Sequence, residues 1–119
     1  MKQQQVFNFN SVEFEQVIAH HGKASIFFKR VTERAKGSVC NFVDLAVVPV
    51  GADIGKHTHS LENEEIYIVL EGKGMMYLDG EEFEVEPGHV IVNRPGGTHG
   101  LKNIGKSELK LVVVEVPVS

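Results

Sequence analysis

The chain is 119 residues long, with 42% hydrophobic residues, 24% charged residues and a formal net charge of −4 at pH 7. This length is enough for one compact domain and too short for two. The acidic balance argues against a nucleic-acid partner, because nucleic-acid phosphates attract basic surfaces. No apolar run approaches the roughly 20 residues that a membrane-spanning helix requires, and residues 1–5 lack the apolar character of a secretory signal. We therefore expect no membrane partner, and the single cysteine, Cys40, favours a reducing cytoplasm as the location.

The first 22 residues differ in pattern from the rest and predict a short N-terminal helix. Residues 10–13 form a capping-box-like start, and three apolar residues follow at helical spacing: Phe14, Val17 and Ile18. We divide the chain into an N-terminal segment, 1–22, and a β-domain, 23–119.

Short strands separated by turn residues follow from residue 23 onward. The clearest apolar runs are 24–32, 38–48, 66–70, 90–93 and 108–118. Many short strands without intervening helices predict an all-β sandwich or barrel. The run Leu109–Val118 is apolar at nearly every position and would be an aggregation hazard at an exposed sheet edge, so we predict a homodimer.

The dipeptide Asp79-Gly80 is the strongest hairpin signal in the sequence. A two-residue turn there pairs Met76 with Phe83. Since side chains alternate across a strand, Met76, Phe83 and Val85 share one face, which we expect to point into the barrel.

Three of the six histidines suggest a metal site. His57 and His59 are two residues apart, so on a strand their imidazoles project from the same face. Glu65 follows at the head of a strand, and His99 starts another strand after a glycine-rich turn. Three neutral nitrogens and one carboxylate suit one divalent transition metal, namely Mn, Fe, Co, Ni or Zn.

These residues fall in two motifs that resemble those of the cupin superfamily. The first runs Gly51, five residues, His57-Thr-His59, five residues, Glu65, six residues, Gly72; the second runs Gly88, five residues, Arg94-Pro95-Gly96, two residues, His99, three residues, Asn103. The resemblance implies a small single-domain cupin of the oxalate-decarboxylase-like type, with an antiparallel jelly-roll barrel (a double-stranded β-helix). It also implies that the metal lies near the barrel centre.

The sequence departs from the family pattern at two places. The spacer between His59 and Glu65 is one residue longer than usual, which leaves Glu64 as a competing ligand; we favour Glu65 because it keeps its distance to Gly72. Arg94 stands where the family usually has proline. Its guanidinium is a candidate for contact with a carboxylate substrate; the alternative is that the side chain is simply exposed to solvent.

Two other residues are candidates for the substrate pocket. Tyr67 lies on the same strand face as Glu65, although core packing explains its position equally well. Met76 is expected to point into the barrel and is interpreted as pocket lining rather than as a ligand of a copper site. The remaining histidines, His20, His21 and His89, are interpreted as ordinary surface or core residues.

The cupin fold does not by itself determine the reaction. We expect a metal-dependent enzyme, of the decarboxylase or oxidase, dioxygenase or isomerase class, acting on a dicarboxylate, keto acid or sugar derivative. The alternative is a metal-containing protein that binds or senses a small ligand without transforming it. The sequence identifies no catalytic residue beyond the metal ligands.

Overall fold

The computed structural model describes residues 5–118, which are almost entirely β-structure. The ten strands of this range are β1 Glu15–Val17, β2 Ile26–Glu33, β3 Phe42–Val48, β4 Asp53–Thr58, β5 Asn63–Glu71, β6 Gly74–Leu78, β7 Glu81–Val85, β8 Val90–Asn93, β9 Thr98–Asn103 and β10 Leu109–Pro117. Two single-turn 3-10 helices, Ala19–His21 and Arg34–Lys36, complete the regular structure. Neither helix has the length or hydropathy to cross a membrane.

The strands form two antiparallel sheets that enclose the core. The large sheet has the order β1-β2-β3-β10-β5-β8, and the small sheet has the order β4-β9-β6-β7. The buried cluster draws on both sheets: Val48 and Leu111 come from the large one, and Met76 and Leu101 from the small one. The all-β expectation is confirmed.

Strand β10 lies in the middle of the large sheet, hydrogen-bonded to β3 on one side and to β5 on the other. Its residues alternate between buried and half-buried, as in a strand with one face on the core. Strand β10 is therefore not at an exposed edge of the sheet, so the aggregation argument does not support the homodimer, which stays a prediction.

The short N-terminal helix predicted from Phe14, Val17 and Ile18 is absent. Glu15–Val17 forms strand β1, which pairs antiparallel with β2, and a 3-10 turn follows it. Helix propensity over so few residues is a weak preference, and hydrogen bonding to the edge of the large sheet overrides it.

The predicted hairpin at Asp79-Gly80 is confirmed, with Met76 opposite Phe83. Both turn residues have positive φ, 48° for Asp79 and 93° for Gly80, as a two-residue hairpin turn that follows strand twist requires. Met76 and Val85 are fully buried, as expected, but Phe83 is 36% exposed. Strand β7 lies at one edge of the small sheet, so the core does not cover the whole of its inward-facing side.

Candidate metal centre and adjoining cavity

Two of the histidines predicted as ligands come from neighbouring strands of the small sheet. His57 lies on β4 and is directly opposite His99 on β9. A register shift between Ile54 and His57 changes the pairing just before this point. Such irregularities re-aim side chains, and they recur beside functional sites. Strand pairing thus brings together two histidines that are far apart in the sequence.

His59 follows β4 and completes the histidine group. Its backbone N–H donates to the carbonyl of Gly97, 3.0 Å away, which anchors it beside the turn that precedes β9. The ring centroid of His59 lies 4.6 Å from that of His99 and 5.1 Å from that of His57. All three rings therefore converge on one point.

Glu65 supplies the only carboxylate of the group, from strand β5 of the large sheet. Its Oε1 lies 3.1 Å from Nε2 of His99 and 3.4 Å from Nε2 of His59. One ligand atom from each of the four residues lies within 4.8 Å of the other three. Glu64 points to the opposite face of β5, because side chains alternate along a strand.

The nitrogen atoms of this group fit a metal ion. Nδ1 of His57 donates to the carbonyl of Gly55 at 2.7 Å, which leaves Nε2 with a free lone pair. Within the described part of the chain, Nε2 of His57, Nε2 of His59 and Nδ1 of His99 are buried without a hydrogen-bond partner. Buried polar atoms are normally paired, and a cation at the centre of the group would supply the partner that Nε2 of His57 and Nε2 of His59 lack. The four residues can therefore hold a divalent metal.

The electrostatics favour the metal-binding forms of His57 and Glu65. Burial lowers the pKa of His57 to about 4, so its ring is neutral at pH 7. Burial alone raises the pKa of Glu65, but the contacts with His59 and His99 outweigh it and lower that pKa to about 2. The close contact with the Glu65 carboxylate raises the pKa of His59, which favours the protonated ring, so a metal must compete with a proton there. An ionised carboxylate beside neutral imidazole is what metal coordination requires.

The structure adds His20, which the sequence analysis had treated as an ordinary histidine. The ring of His20 stacks on the ring of His57, with centroids 3.4 Å apart and planes 8° from parallel. Its backbone is left-handed, with φ 50° and ψ 47°, a conformation that costs energy for a non-glycine residue. The close approach of its carbonyl to Gly55 leaves no room there for a side chain. No spacing rule links residue 20 to residue 57, so only the fold reveals this contact.

A cavity of about 320 Å³ adjoins the metal ligands. It lies between the N-terminal turn and the inner face of the large sheet, and its lining includes Glu65, His20 and Tyr67. Tyr67 is 1% exposed and meets the ring of His99 edge-on, with centroids 5.4 Å apart. Burial and the nearby charge of Glu65 raise its pKa well above the usual 10.

The other two residues predicted for the pocket lie elsewhere. Met76 is fully buried in the core, and Arg94 is exposed; neither lines this cavity. The arginine that does line it is Arg30 on β2, which is paired with Asp44 on β3. Sequence reasoning missed this pair because nothing in the spacing of residues 30 and 44 predicts their register.

Asn93 is a further unexplained polar group beside the centre. It is 1% exposed, pairs with Glu65 in the strand register, and has neither amide atom hydrogen-bonded within residues 5–118. An unsatisfied buried amide costs about 1–3 kcal/mol, so a bound water or ligand is the natural partner for it.

Comparison with known proteins gives a family and several relatives. A family model described as "Cupin domain" matches residues 44–115. An uncharacterized protein of Methanocaldococcus jannaschii is 44% identical over 72 residues, which is 60% of this chain and 57% of the relative. An "oxalate-binding protein" of Thermotoga maritima is 31% identical over 67 residues, 56% of this chain and 54% of the relative. The chain spans about half the length of the curated relatives it matches.

Solved structures share the fold. The crystal structure of a "predicted oxalate decarboxylase" from Thermotoga maritima superposes with a TM-score of 0.87, at 22% identity, covering 95% of this chain and 99% of the other. The cupin domain of Cnp3 from Schizosaccharomyces pombe gives a TM-score of 0.78 at 18% identity, with coverage of 94% and 73%. At these identities the likeness concerns the architecture of two facing antiparallel sheets.

Proposed function

Because the chain belongs to the cupin family, we propose that it is a metal-dependent enzyme acting on a small oxygen-rich metabolite, such as a dicarboxylate, a keto acid or a sugar derivative. One observation carries this proposal: three imidazoles and the carboxylate of Glu65 each place a ligand atom within 4.8 Å of the others, beside a cavity that Glu65 lines. His57, His59, Glu65 and His99 would hold one divalent ion, of Mn, Fe, Co, Ni or Zn.

The ion would supply Lewis-acid or redox chemistry to an oxygen-rich ligand. The protein's own residues set the conditions around it. The hydrogen bond from Nδ1 of His57 to Gly55 fixes the tautomer of that ring, and the stacked ring of His20 fixes its plane. Tyr67, neutral at physiological pH, closes the cavity wall beside His99.

The second candidate is a protein that captures a small ligand without transforming it. The observation in its favour is the relative from Thermotoga maritima, whose name describes binding of oxalate. A binder needs the same ligands and the same cavity, so the two candidates differ only in turnover.

An activity panel separates the two candidates. Purified protein of known metal content is assayed for decarboxylation, oxidation and isomerisation of small acids and sugars, with His57→Ala as the metal-free control. Turnover that disappears in the control supports the enzyme. Calorimetric binding of a panel compound without any turnover supports the binder, and failure of the wild-type protein to retain metal overturns both.

We also propose that the protein is a homodimer, now on the basis of the outer face of the large sheet. Two rows of apolar side chains lie there: Val112, Ile68 and Val90 form one, and Val43, Val114, Ile66 and Val92 the other. Leu45 continues the first row but is only 9% exposed. Val90 is 59% exposed and Val92 is 42% exposed. Extended apolar faces of this kind are typical of protein–protein contacts.

Light scattering after size exclusion tests the dimer. We expect twice the chain mass of 13.2 kDa, and we expect Val92→Lys to reduce it to the monomer value, because a buried lysine opposes association. A monomeric wild-type protein would contradict the proposal.

The location that best fits the single cysteine, Cys40, is a reducing cytoplasm.

A further inference from the structure

Strand β10 carries a second carboxylate beside the candidate metal centre. Glu115 is directly opposite Glu65 in the pairing of β10 with β5, so both side chains lie on the inner face of the large sheet. Two carboxylates in directly opposite positions repel each other and destabilise a sheet. Glu115 also interrupts an apolar run, since every other residue of Leu111–Val118 is apolar. A residue that is unfavourable for the sheet on both counts is a candidate for a role in the site.

The ring of His59 lies between these two carboxylates. Its Nε2 is 3.4 Å from Oε1 of Glu65, and its Nδ1 is 3.7 Å from Oε1 of Glu115. The side chains of His59 and Glu115 are 9% and 16% exposed, so solvent screens the contact between them only weakly. Each nitrogen of the ring therefore has its own carboxylate, and the two carboxylates come from neighbouring strands of the large sheet.

Glu115 is anchored in a way that leaves one of its oxygens to His59. Nδ2 of Asn41 donates to Oε2 of Glu115 at 3.1 Å and to Oδ1 of Asn63 at 2.7 Å. The backbone N–H of Asn41 donates to the carbonyl of Glu115 at 2.9 Å, so the main chain is fixed as well. Asn41 thus occupies Oε2, and Oε1 is the oxygen that the carboxylate presents to Nδ1 of His59.

A metal ion that binds Nε2 of His59 leaves Nδ1 as the protonated nitrogen of the ring. Metal-binding histidines normally donate this other N–H to a carboxylate or a carbonyl, which fixes the tautomer and the ring orientation. His57 has such a partner in the carbonyl of Gly55. For His59, the 3.7 Å from Nδ1 to Glu115 is longer than a hydrogen bond, and a shortening of about 0.8 Å converts the contact into a charge-assisted one.

We propose that Glu115 is a positioning residue of the metal centre: its carboxylate accepts the Nδ1–H of His59 and so fixes the tautomer that leaves Nε2 for the ion. The inference rests on the proposed metal site and deepens it. Asn41 acts one step further out, because it holds the other oxygen of the carboxylate. The repulsion between Glu115 and Glu65 is then the cost of placing a carboxylate at each nitrogen of one imidazole.

Calorimetry with Ni²⁺ tests this role with a matched pair of variants. Glu115→Gln keeps the shape of the side chain, but its one oxygen can accept from Asn41 or from His59 and not from both. Glu108→Gln is the control, because Glu108 is exposed and immediately precedes β10. We expect Glu115→Gln to weaken Ni²⁺ binding about tenfold to a hundredfold, the usual cost of losing the outer partner of a metal-binding histidine. Glu108→Gln should bind as the wild type does.

NMR spectroscopy of the Zn²⁺-loaded protein, with isotope-labelled histidine, gives a readout that a merely structural role does not change. Long-range correlations identify the protonated nitrogen of each ring. We expect a proton on Nδ1 of His59, with a signal further downfield in the wild type than in Glu115→Gln, because the bond to the carboxylate is charge-assisted. His57 is the internal control: its Nδ1–H is bonded to Gly55, so its signal should be the same in both proteins.

The outcomes separate this inference from the proposed function. Failure of the wild-type protein to retain Ni²⁺ by elemental analysis overturns the metal site, and this inference with it. If Ni²⁺ is retained but Glu115→Gln binds it as tightly as Glu108→Gln, or leaves the Nδ1–H signal of His59 unchanged, only the inference is overturned. Should Glu115→Gln fail to fold by circular dichroism, the wild-type spectrum decides: a proton on Nε2 of His59, or an Nδ1–H that exchanges too fast to be observed, contradicts the role of Glu115.

Discussion

The two sheets make different contributions to the same site. The small sheet and the segment that follows β4 carry the imidazoles of His57, His59 and His99, whereas the large sheet carries the carboxylate of Glu65. The large sheet also carries the Arg30–Asp44 pair and Tyr67 on its inner face. The nitrogen atoms of the candidate metal centre thus come from one side of the barrel, and its carboxylate and most of the adjoining cavity come from the other.

An ion held by these four residues would therefore bridge the two sheets. Imidazoles on one sheet and a carboxylate on the other converge across the barrel interior, next to a core to which both sheets contribute. The site therefore depends on the packing of the sheets, and a bound ion would in turn stabilise that packing. Four experiments test whether the site depends on both sheets and whether a bound ion stabilises their packing, from the largest expected effect to the smallest.

Removal of an imidazole from the small sheet should have the largest effect. We expect His57→Ala and His99→Ala to weaken Ni²⁺ binding by on the order of a thousandfold, about 4 kcal/mol, since loss of even an outer-shell partner costs ten- to a hundredfold. Elemental analysis and calorimetry measure the effect, and His89→Ala, at an exposed histidine, is the control. Full metal content in both folded ligand variants would refute the assignment.

Truncation in the core between the sheets should come next. Leu111 on β10 is fully buried, and Leu111→Ala should lower the free energy of unfolding by about 3 kcal/mol through lost burial and a cavity. The neighbouring outward residue provides the comparison: Val112→Ala should cost about 1 kcal/mol in the monomer. Chemical denaturation at two protein concentrations measures both. An equal, concentration-independent cost would contradict the separation of inner and outer faces.

Metal removal should weaken the packing of the two sheets against each other and so lower the free energy of unfolding. At a free Ni²⁺ concentration of 100 times the Kd, the bound ion should raise the free energy of unfolding by about 2.7 kcal/mol. Removal of the ion with EDTA should abolish this increase. Glu65→Gln removes the carboxylate that the large sheet contributes and should abolish most of this increment. Thermal unfolding with and without Ni²⁺ provides the measurement, and an equal increment in both proteins would show that Glu65 does not hold the ion.

The smallest effect should come from Glu64, the carboxylate next to Glu65 in the sequence. Glu64→Gln should change the free energy of unfolding by less than about 0.5 kcal/mol and leave Ni²⁺ affinity unchanged, because its side chain lies on the outer face of β5. The same titration that is used for Glu65→Gln provides the test. A loss of affinity in Glu64→Gln alone would reverse the choice between the two glutamates.

The sequence was most informative where spacing alone determines geometry. The turn at Asp79-Gly80 sets its own register, and the two residues from His57 to His59 place both rings on one side of the chain. The family motifs then related these residues to His99, and the structure brings the four together.

The sequence was least informative where a contact depends on how distant strands align. Arg30 meets Asp44 only because β2 pairs with β3 in one particular register, which includes a shift after Arg30. His20 meets His57 only through a left-handed turn that local propensity disfavours. The prediction of an N-terminal helix was wrong for the same reason, because sheet pairing outweighed the helix preference of a few residues.

The placement of ligands on opposite sheets also sets an order of events during biosynthesis. Glu65 and His99 are 34 residues apart in sequence, and the contacts that join them form only after slow, long-range strand pairing. A nascent chain that has emerged only as far as β8 contains two of the three imidazoles and cannot complete the coordination sphere. If these four residues hold an ion, the polypeptide would therefore bind it only after folding, and the metal would come from the pool that the folded barrel meets.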